Sequence, residues 1–256
     1  MKRQLKLARQ LIASLFFDPL IIANKWRAIP FFVRNARRYR HLNQTETFRI
    51  RPSEVYYTTY ERFDRAGVAD GHYFWQDLWA ARRVFATGIE HHVDVGSRID
   101  GFIGHVLPFC EVTYVDLRPL NIDIEGLTFK QGSIVSLPFG DATLPSLSSL
   151  HVIEHIGLGR YGDPVDPDGY RRAAQELTRV LALGGTLLLG TPVGREHLCF
   201  DAHRVFDPET IEKAFTGLTL EEFALINDKG DGIIPHATFE QARSCEYGCG
   251  LFVFRK

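Results

Sequence analysis

From His91 to the C-terminal residues the chain repeats one pattern: a short apolar, β-prone run, a polar or glycine-bearing stretch, then another run. The runs are His92–Gly96, Val112–Leu117, Leu127–Phe129, Leu147–Val152, Thr186–Gly190, Leu218–Ile226 and Leu251–Phe254. Short runs separated by helical or loop segments predict a mostly parallel α/β sheet covered on both faces. The clearest helix is predicted over Asp168–Leu183. There Tyr170, Ala173, Ala174, Leu177, Val180 and Leu181 form one stripe, Asp168 can cap the start and Gly184-Gly185 the end. A second helix is expected over His72–Phe85, with Phe74, Leu78, Ala81 and Phe85 at helical spacing. The last two runs are joined by a long glycine-containing segment, which suits an antiparallel pair at the sheet edge.

The text before His72 differs in charge. Met1 to Arg51 holds 12 Lys/Arg against Asp18 and Glu46, whereas the remainder holds 18 basic and 29 acidic residues. Residues 1–70 therefore read as a basic helical arm with a connection, and residues 71–256 as the main domain. The arm is expected to form one or two amphipathic helices, ending near Pro30 or continuing to Arg40. Leu5, Ala8, Ile12, Leu15 and Phe16 share one helical face. The apolar run Leu11–Phe17 is far shorter than the roughly 20 residues a bilayer span needs, and no cleavage site follows it. Arginine interleaved with Trp26, Phe31 and Phe32 predicts peripheral contact with an anionic membrane through residues 1–51; packing of those aromatics inside the protein is the other expectation. The acidic main domain disfavours nucleic acid as partner, because it would repel phosphates. Four scattered cysteines form no disulfide framework and point to a cytoplasmic protein, free or peripheral to a membrane. No metal site is expected: Cys245 and Cys249 lack a second pair, and His91-His92 lack a third ligand at matching spacing.

The stretch His91-His92-Val93-Asp94-Val95-Gly96-Ser97-Arg98-Ile99-Asp100-Gly101 carries the most chemistry. A strand enters a glycine turn and then the apolar segment Phe102–Leu107. Glycine at such a turn lets backbone approach a ligand. The next strand ends at Val115-Asp116-Leu117, where an acid is placed to accept hydrogen bonds from ribose hydroxyls. A nicotinamide dinucleotide would use the same geometry. Its fingerprint wants glycine where Arg98 stands, and Asp94 near the turn would repel a pyrophosphate. A cofactor bearing an ammonium and a sulfonium would tolerate that charge.

From about His92 to Phe215 the chain resembles class I S-adenosylmethionine-dependent methyltransferases. Asp94, Gly96 and Gly101 match the first motif, and Asp116 matches the ribose-binding acid. Leu137–Asp141 looks like the stretch before strand four, and His151-Val152-Ile153-Glu154-His155 is similar to the "VLEH" segment after it. Glu176–Leu181 with Gly184–Leu187, and His203–Phe206 before Pro208-Glu209, look like the segments around strand five. The strings GHYFWQDLW, VDVGSRIDGF and HVIEHIGLGRYGDP resemble, more narrowly, a methyltransferase-like family of unknown function.

The resemblance implies a Rossmann-like, doubly wound, seven-stranded sheet of order 3-2-1-4-5-7-6, with S-adenosylmethionine held by Asp94, Gly96, Ser97, Arg98, Gly101, Asp116, Leu117, Ser133 and Ile134. Two positions depart from the pattern: Arg98 replaces a glycine, and Ser133 replaces an acid that many members direct at the adenine. Arg98 is expected either to pair with the cofactor carboxylate or to bar the cofactor. His151, after strand four, is the first candidate base, and His203 the second; for His151 a satisfied buried histidine is an equal expectation. Arg160, Tyr161 and Asp163 in the following loop are expected to grip a polar small-molecule or glycan acceptor, or merely to shape a glycine-rich turn. The activity expected is methyl transfer to an oxygen or nitrogen. A non-catalytic binding module docking to a membrane or an enzyme complex is the alternative.

Overall fold

The computed structural model describes residues 19–55, 63, 69 and 71–256. The chain divides into two units, Met1–Val68 and Ala69–Lys256. In the first, helix α1 (Pro19–Leu42) runs through Pro30 without ending there. Its basic side chains lie along aromatic ones: the Arg27 guanidinium is 4.9 Å from the Phe63 ring centre and that of Arg34 5.1 Å from Phe31. Phe31 and Phe63 meet edge to face, while Trp26 is exposed. The amphipathic face from Leu5 to Phe16 lies outside the described residues. No helix among the described residues is long and apolar enough to cross a membrane.

The second unit is built on a seven-stranded sheet, ordered β3-β2-β1-β4-β5-β9-β8. Its strands are β1 (His91–Val95), β2 (Glu111–Asp116), β3 (Leu127–Gln131), β4 (Leu144–Leu150), β5 (Leu181–Val193), β8 (Thr219–Ile226) and β9 (Gly248–Arg255). β3 through β5 pair in parallel, and β9 pairs antiparallel with both β5 and β8. Setting aside the small hairpin β6 (His197–Cys199) and β7 (His203–Val205), this is the 3-2-1-4-5-7-6 order expected. The chain reverses direction across the sheet between β1 and β4, so a crevice opens at their carboxyl ends.

Alternation along each strand fills two cores. Val93, Val95, Leu147, Leu187 and Leu189 face helix α3 (Gly169–Val180), whose Ala173, Ala174, Leu177 and Val180 are fully buried. Val112, Tyr114, Leu188 and Leu251 face helix α2 (His72–Thr87) and the segment Phe102–Val106. Helices α4 (Pro208–Ala214) and α5 (Phe239–Arg243) complete the first layer.

Two local expectations are corrected. The buried face of α2 consists of Gln76, Asp77, Trp79, Ala80, Ala81 and Val84. Phe74 and Phe85 are exposed, resting edge-on against Trp75 and Phe109. The face is turned because two glycines admit the polar pair: a Cβ at Gly190 would overlap Gln76 Oε1, and one at Gly101 would overlap Asp77 Oδ2. Helix α3 ends at Val180, before the glycines, because the carbonyls of Arg179 and Val180 accept the N–H groups of Ala142 and Thr143 at 2.8 and 2.9 Å. Asp168 occupies its N-cap position but makes no side-chain cap bond.

Candidate functional site

A cavity of about 150 Å³ lies at the carboxyl ends of β1, β2 and β4. It runs from Asp116, Leu117 and Arg118 past Gly132 to Val135, then along Gly96 and Val152 to His151. Gly96, Asp116, Leu117, Ser133, Ile134, His151, Tyr161 and Asp163 thus all line it, as a ligand site requires. Ser97, Arg98, Gly101, Arg160 and His203 do not line it. Gly96 has φ +77, a left-handed conformation that favours glycine, and a Cβ there would come within 3.0 Å of the Val152 methyls. The turn is closed by Gly96 N–H donating to Val115 O at 2.9 Å.

Asp94 is off the cavity. Strand alternation turns it and His92 away from the Val93 and Val95 face, towards Ser146 and Ser148. Its carboxylate accepts from Ser97 N at 3.0 Å, Ser97 Oγ at 2.6 Å and Ser148 Oγ at 2.5 Å. Because Ser148 donates to Asp94, it receives the Nε2 hydrogen of His92, and His92 Nδ1 then accepts from Ser146. Burial pushes the Asp94 carboxyl up to about 7 against these bonds. The Asp94 carboxylate therefore organises the glycine turn from beneath, and its charge does not face a ligand in the cavity. Gly101 has a packing task, receiving Asp77. Arg98 leaves the site: it forms a two-pronged bond to Asp100, at 3.0 and 2.8 Å, and covers the Tyr73 ring.

Asp116 stands at the tip of β2 with both oxygens engaged. Arg118 donates to them from its backbone N at 2.8 Å, from Nε at 3.0 Å and from Nη2 at 2.8 Å, and Tyr114 Oη donates at 2.9 Å. Burial opposes ionisation of Asp116, but the Arg118 and Tyr114 bonds outweigh it and hold the carboxyl below its ordinary value. The Arg118 side chain is 58% exposed, lines the cavity and lies 4.9 Å from the Tyr161 ring.

The other end is a histidine and aromatic cluster. His151 has φ +56, a strained conformation for a residue with a Cβ. Its Nδ1 is 2.8 Å from Glu154 Oε1, and its buried Nε2 has no hydrogen-bond partner. Burial disfavours the His151 cation, yet Cys249 and Glu154 beside it hold its pKa well above the ordinary value. The same partnership keeps the buried Glu154 ionised despite desolvation. The His72 ring stacks on His151 at 5.2 Å and on Tyr247 at 4.8 Å, and burial first, then His151, lowers its pKa to about 4. His203 joins this stack from the far side, 4.9 Å from Tyr247, with burial lowering its pKa.

The loop after β4 uses much of its polar chemistry on itself and on the turn between β6 and β7. Asp163 accepts from Gly157 N at 2.6 Å, and Arg160 donates to Ala202 O at 2.9 Å. His155 Nδ1 is likewise committed to Ala202 O at 2.6 Å. Arg118, Glu154, Tyr247 and Cys249 were absent from the sequence-derived site. Glu154 had a signal, lying between two histidines in a turn after a buried strand. Tyr247 and Cys249 had none, since only the antiparallel return of β9 brings them here.

The fold has solved counterparts. The [4+2]-cyclase SpnF is 15% identical with a TM-score of 0.53, the match covering 70% of this chain and 80% of that one. The N-methyltransferase NodS from Bradyrhizobium japonicum WM9, in complex with S-adenosyl-L-homocysteine, is 18% identical with a TM-score of 0.51, covering 71% and 85%. No curated protein sequence matches the chain. Residues 141–229, from just before β4 to just beyond β8, match the family described as Caenorhabditis protein of unknown function, DUF268. The chain thus has the seven-stranded, Rossmann-like fold of these solved structures, and residues 141–229 are similar to the DUF268 family.

Proposed function

We propose that the protein transfers a methyl group from S-adenosylmethionine to an oxygen or nitrogen of a polar small-molecule or glycan-type acceptor. The observation that carries this reading is the continuous cavity from Asp116 through Gly96 to His151. It lies at the strand ends where this fold binds ligands, and NodS, of the same fold, is in complex with S-adenosyl-L-homocysteine. S-adenosylmethionine, when bound, supplies a methyl on a positively charged sulfur.

The residues present fit such a group. Asp116 is an ionised acceptor suited to two ribose hydroxyls once Arg118 swings aside or shares it. Ser133 and Ile134 offer a hydroxyl and an apolar surface for the adenine, and Leu117 adjoins them on the wall. Gly96 keeps the floor of the methionine end free of a side chain. His151 lines that end, with Nδ1 anchored by Glu154; because its pKa is held high, Nε2 takes a proton from the acceptor only after first losing its own. His203 would act only through movement of the Tyr247 stack.

A second reading, a non-catalytic module docking to a membrane or an enzyme complex, is supported by the basic helix α1 with its exposed Trp26. SpnF, a cyclase by name, adds that one fold serves several chemistries. The four cysteines are unbridged, which suits the reducing cytoplasm in either reading. Transfer from labelled S-adenosylmethionine to a panel of hydroxyl and amine acceptors tests the enzyme reading. His151→Ala is expected to lower turnover about 10²–10⁴-fold with cofactor affinity kept. Wild-type turnover in both His151→Ala and His203→Ala would remove the acid–base role.

A further inference from the structure

Behind the methyl end of the cavity three ligand-type side chains converge from distant parts of the chain. His72 opens α2, His151 follows β4, and Cys249 is the second residue of β9. One ring nitrogen from each histidine and the Cys249 sulfur all lie within 4.8 Å of one another.

Each histidine commits one ring nitrogen to an acceptor, which leaves the other for ligation. Glu154 is a carboxylate and only accepts, so His151 Nδ1 carries the hydrogen in that 2.8 Å contact, and Nε2 becomes the ligating lone pair when a metal displaces its proton. His72 Nε2 lies 3.2 Å from the Tyr247 carbonyl, which also only accepts, leaving Nδ1 as the lone pair. His151 Nε2 is buried without a partner, an arrangement that proteins avoid unless something uses it. The Cys249 sulfur lies 3.7 Å from Gln76 Oε1 and 3.8 Å from Gly250 O, and beside the His151 ring, whose cation it favours. The left-handed backbone at His151 holds its ring in this cluster against local strain.

The geometry points to a site for a divalent cation of the zinc class, bound by His72, His151 and Cys249. Two imidazoles and a thiolate select such an ion over magnesium or calcium, which prefer oxygen. Ligand atoms around tetrahedral zinc stand about 3.4–3.8 Å apart by ordinary bond lengths, so the cluster contracts by about 1 Å on binding. Glu154 and the Tyr247 carbonyl already occupy the outer positions that orient ligating histidines. Three protein ligands leave a fourth position, the pattern of catalytic rather than structural zinc.

The role of that position rests on the methyl-transfer reading. His151 is also a cavity wall residue, so the open position adjoins the acceptor's place, and a hydroxyl acceptor is the class it would take. The bound hydroxyl gives its proton to solvent. Its oxygen then bonds to the methyl carbon as the carbon–sulfur bond breaks, and the sulfur keeps the electron pair. His151 in this state holds the ion and does not take the proton.

Cobalt(II) titration of the full chain, after chelator treatment, tests the site. One ion per chain is expected, with thiolate-to-cobalt charge-transfer absorption that zinc abolishes by competition. Cys249→Ser should lose that absorption, and Glu154→Gln should weaken binding about 10–100-fold. Should Cys249→Ser fail to fold, His72→Gln at the helix start carries the test, and wild-type affinity in that variant overturns the site. A folded wild-type chain that binds S-adenosyl-L-homocysteine without charge-transfer absorption also overturns it. Cobalt binding through Cys249 in a chain that ignores S-adenosyl-L-homocysteine upholds the metal and removes the methyl-transfer reading alone.

Discussion

At the scale of single residues, Asp94 has the most measurable consequence. Its folded carboxyl is raised by burial to about 7 from an ordinary 3.8, so the folded state holds the proton more tightly than the unfolded state does. Its contribution to stability is therefore complete below about pH 4 and is lost as pH rises through about 7. The unfolding free energy of the wild type, from urea titration, should fall across that window by an amount on the order of 4 kcal/mol, and Asp94→Asn should flatten the slope. An unchanged slope in the variant would show that Asp94 ionises freely. The same residue marks how far the sequence could be read. Its place beside the glycine turn was legible from spacing, as was Asp116 at the next strand tip. Which way each side chain points was not, because strand alternation and the serines of β4 decide that from another part of the chain.

Among the elements, the order of the sheet was legible because each strand is a separate apolar run with turn chemistry at its ends. The phase of α2 was not. Its large aromatics mimic a buried stripe, while two polar residues are the ones that dock, into glycines far away in sequence. Gly101→Ala tests that docking: the added methyl meets the buried Asp77 carboxylate, and stability should drop by about 1–3 kcal/mol with the sheet intact. A neutral effect would mean that Asp77 moves aside freely. Helix α1 poses a separate question. It contains Lys25, Arg27, Arg34, Arg37, Arg38 and Arg40 and no acidic residue. Binding to anionic vesicles should weaken at least tenfold in Arg37→Glu/Arg38→Glu, since each basic residue near a lipid surface contributes about 1 kcal/mol. Equal sedimentation of both proteins, or none by either, would rule out an electrostatic membrane arm.

For the whole molecule, fold and site differ in what determines them. The sheet follows from local pattern repeated seven times. The cluster of His72, His151, Tyr247 and Cys249 follows from topology: one helix before the sheet, one turn in its middle and the final strand meet at a single edge of the cavity. No local signal announces such a meeting. The proposed function requires that the cavity between Asp116 and His151 accept S-adenosylmethionine. Calorimetric titration of the full chain with S-adenosyl-L-homocysteine, against NAD as control, tests it most directly. Binding of S-adenosyl-L-homocysteine alone is expected, weakened about tenfold or more in Asp116→Ala as charged hydrogen bonds to the ribose are lost. Binding of NAD instead, or affinity for S-adenosyl-L-homocysteine unchanged in a folded Asp116→Ala protein, would contradict it.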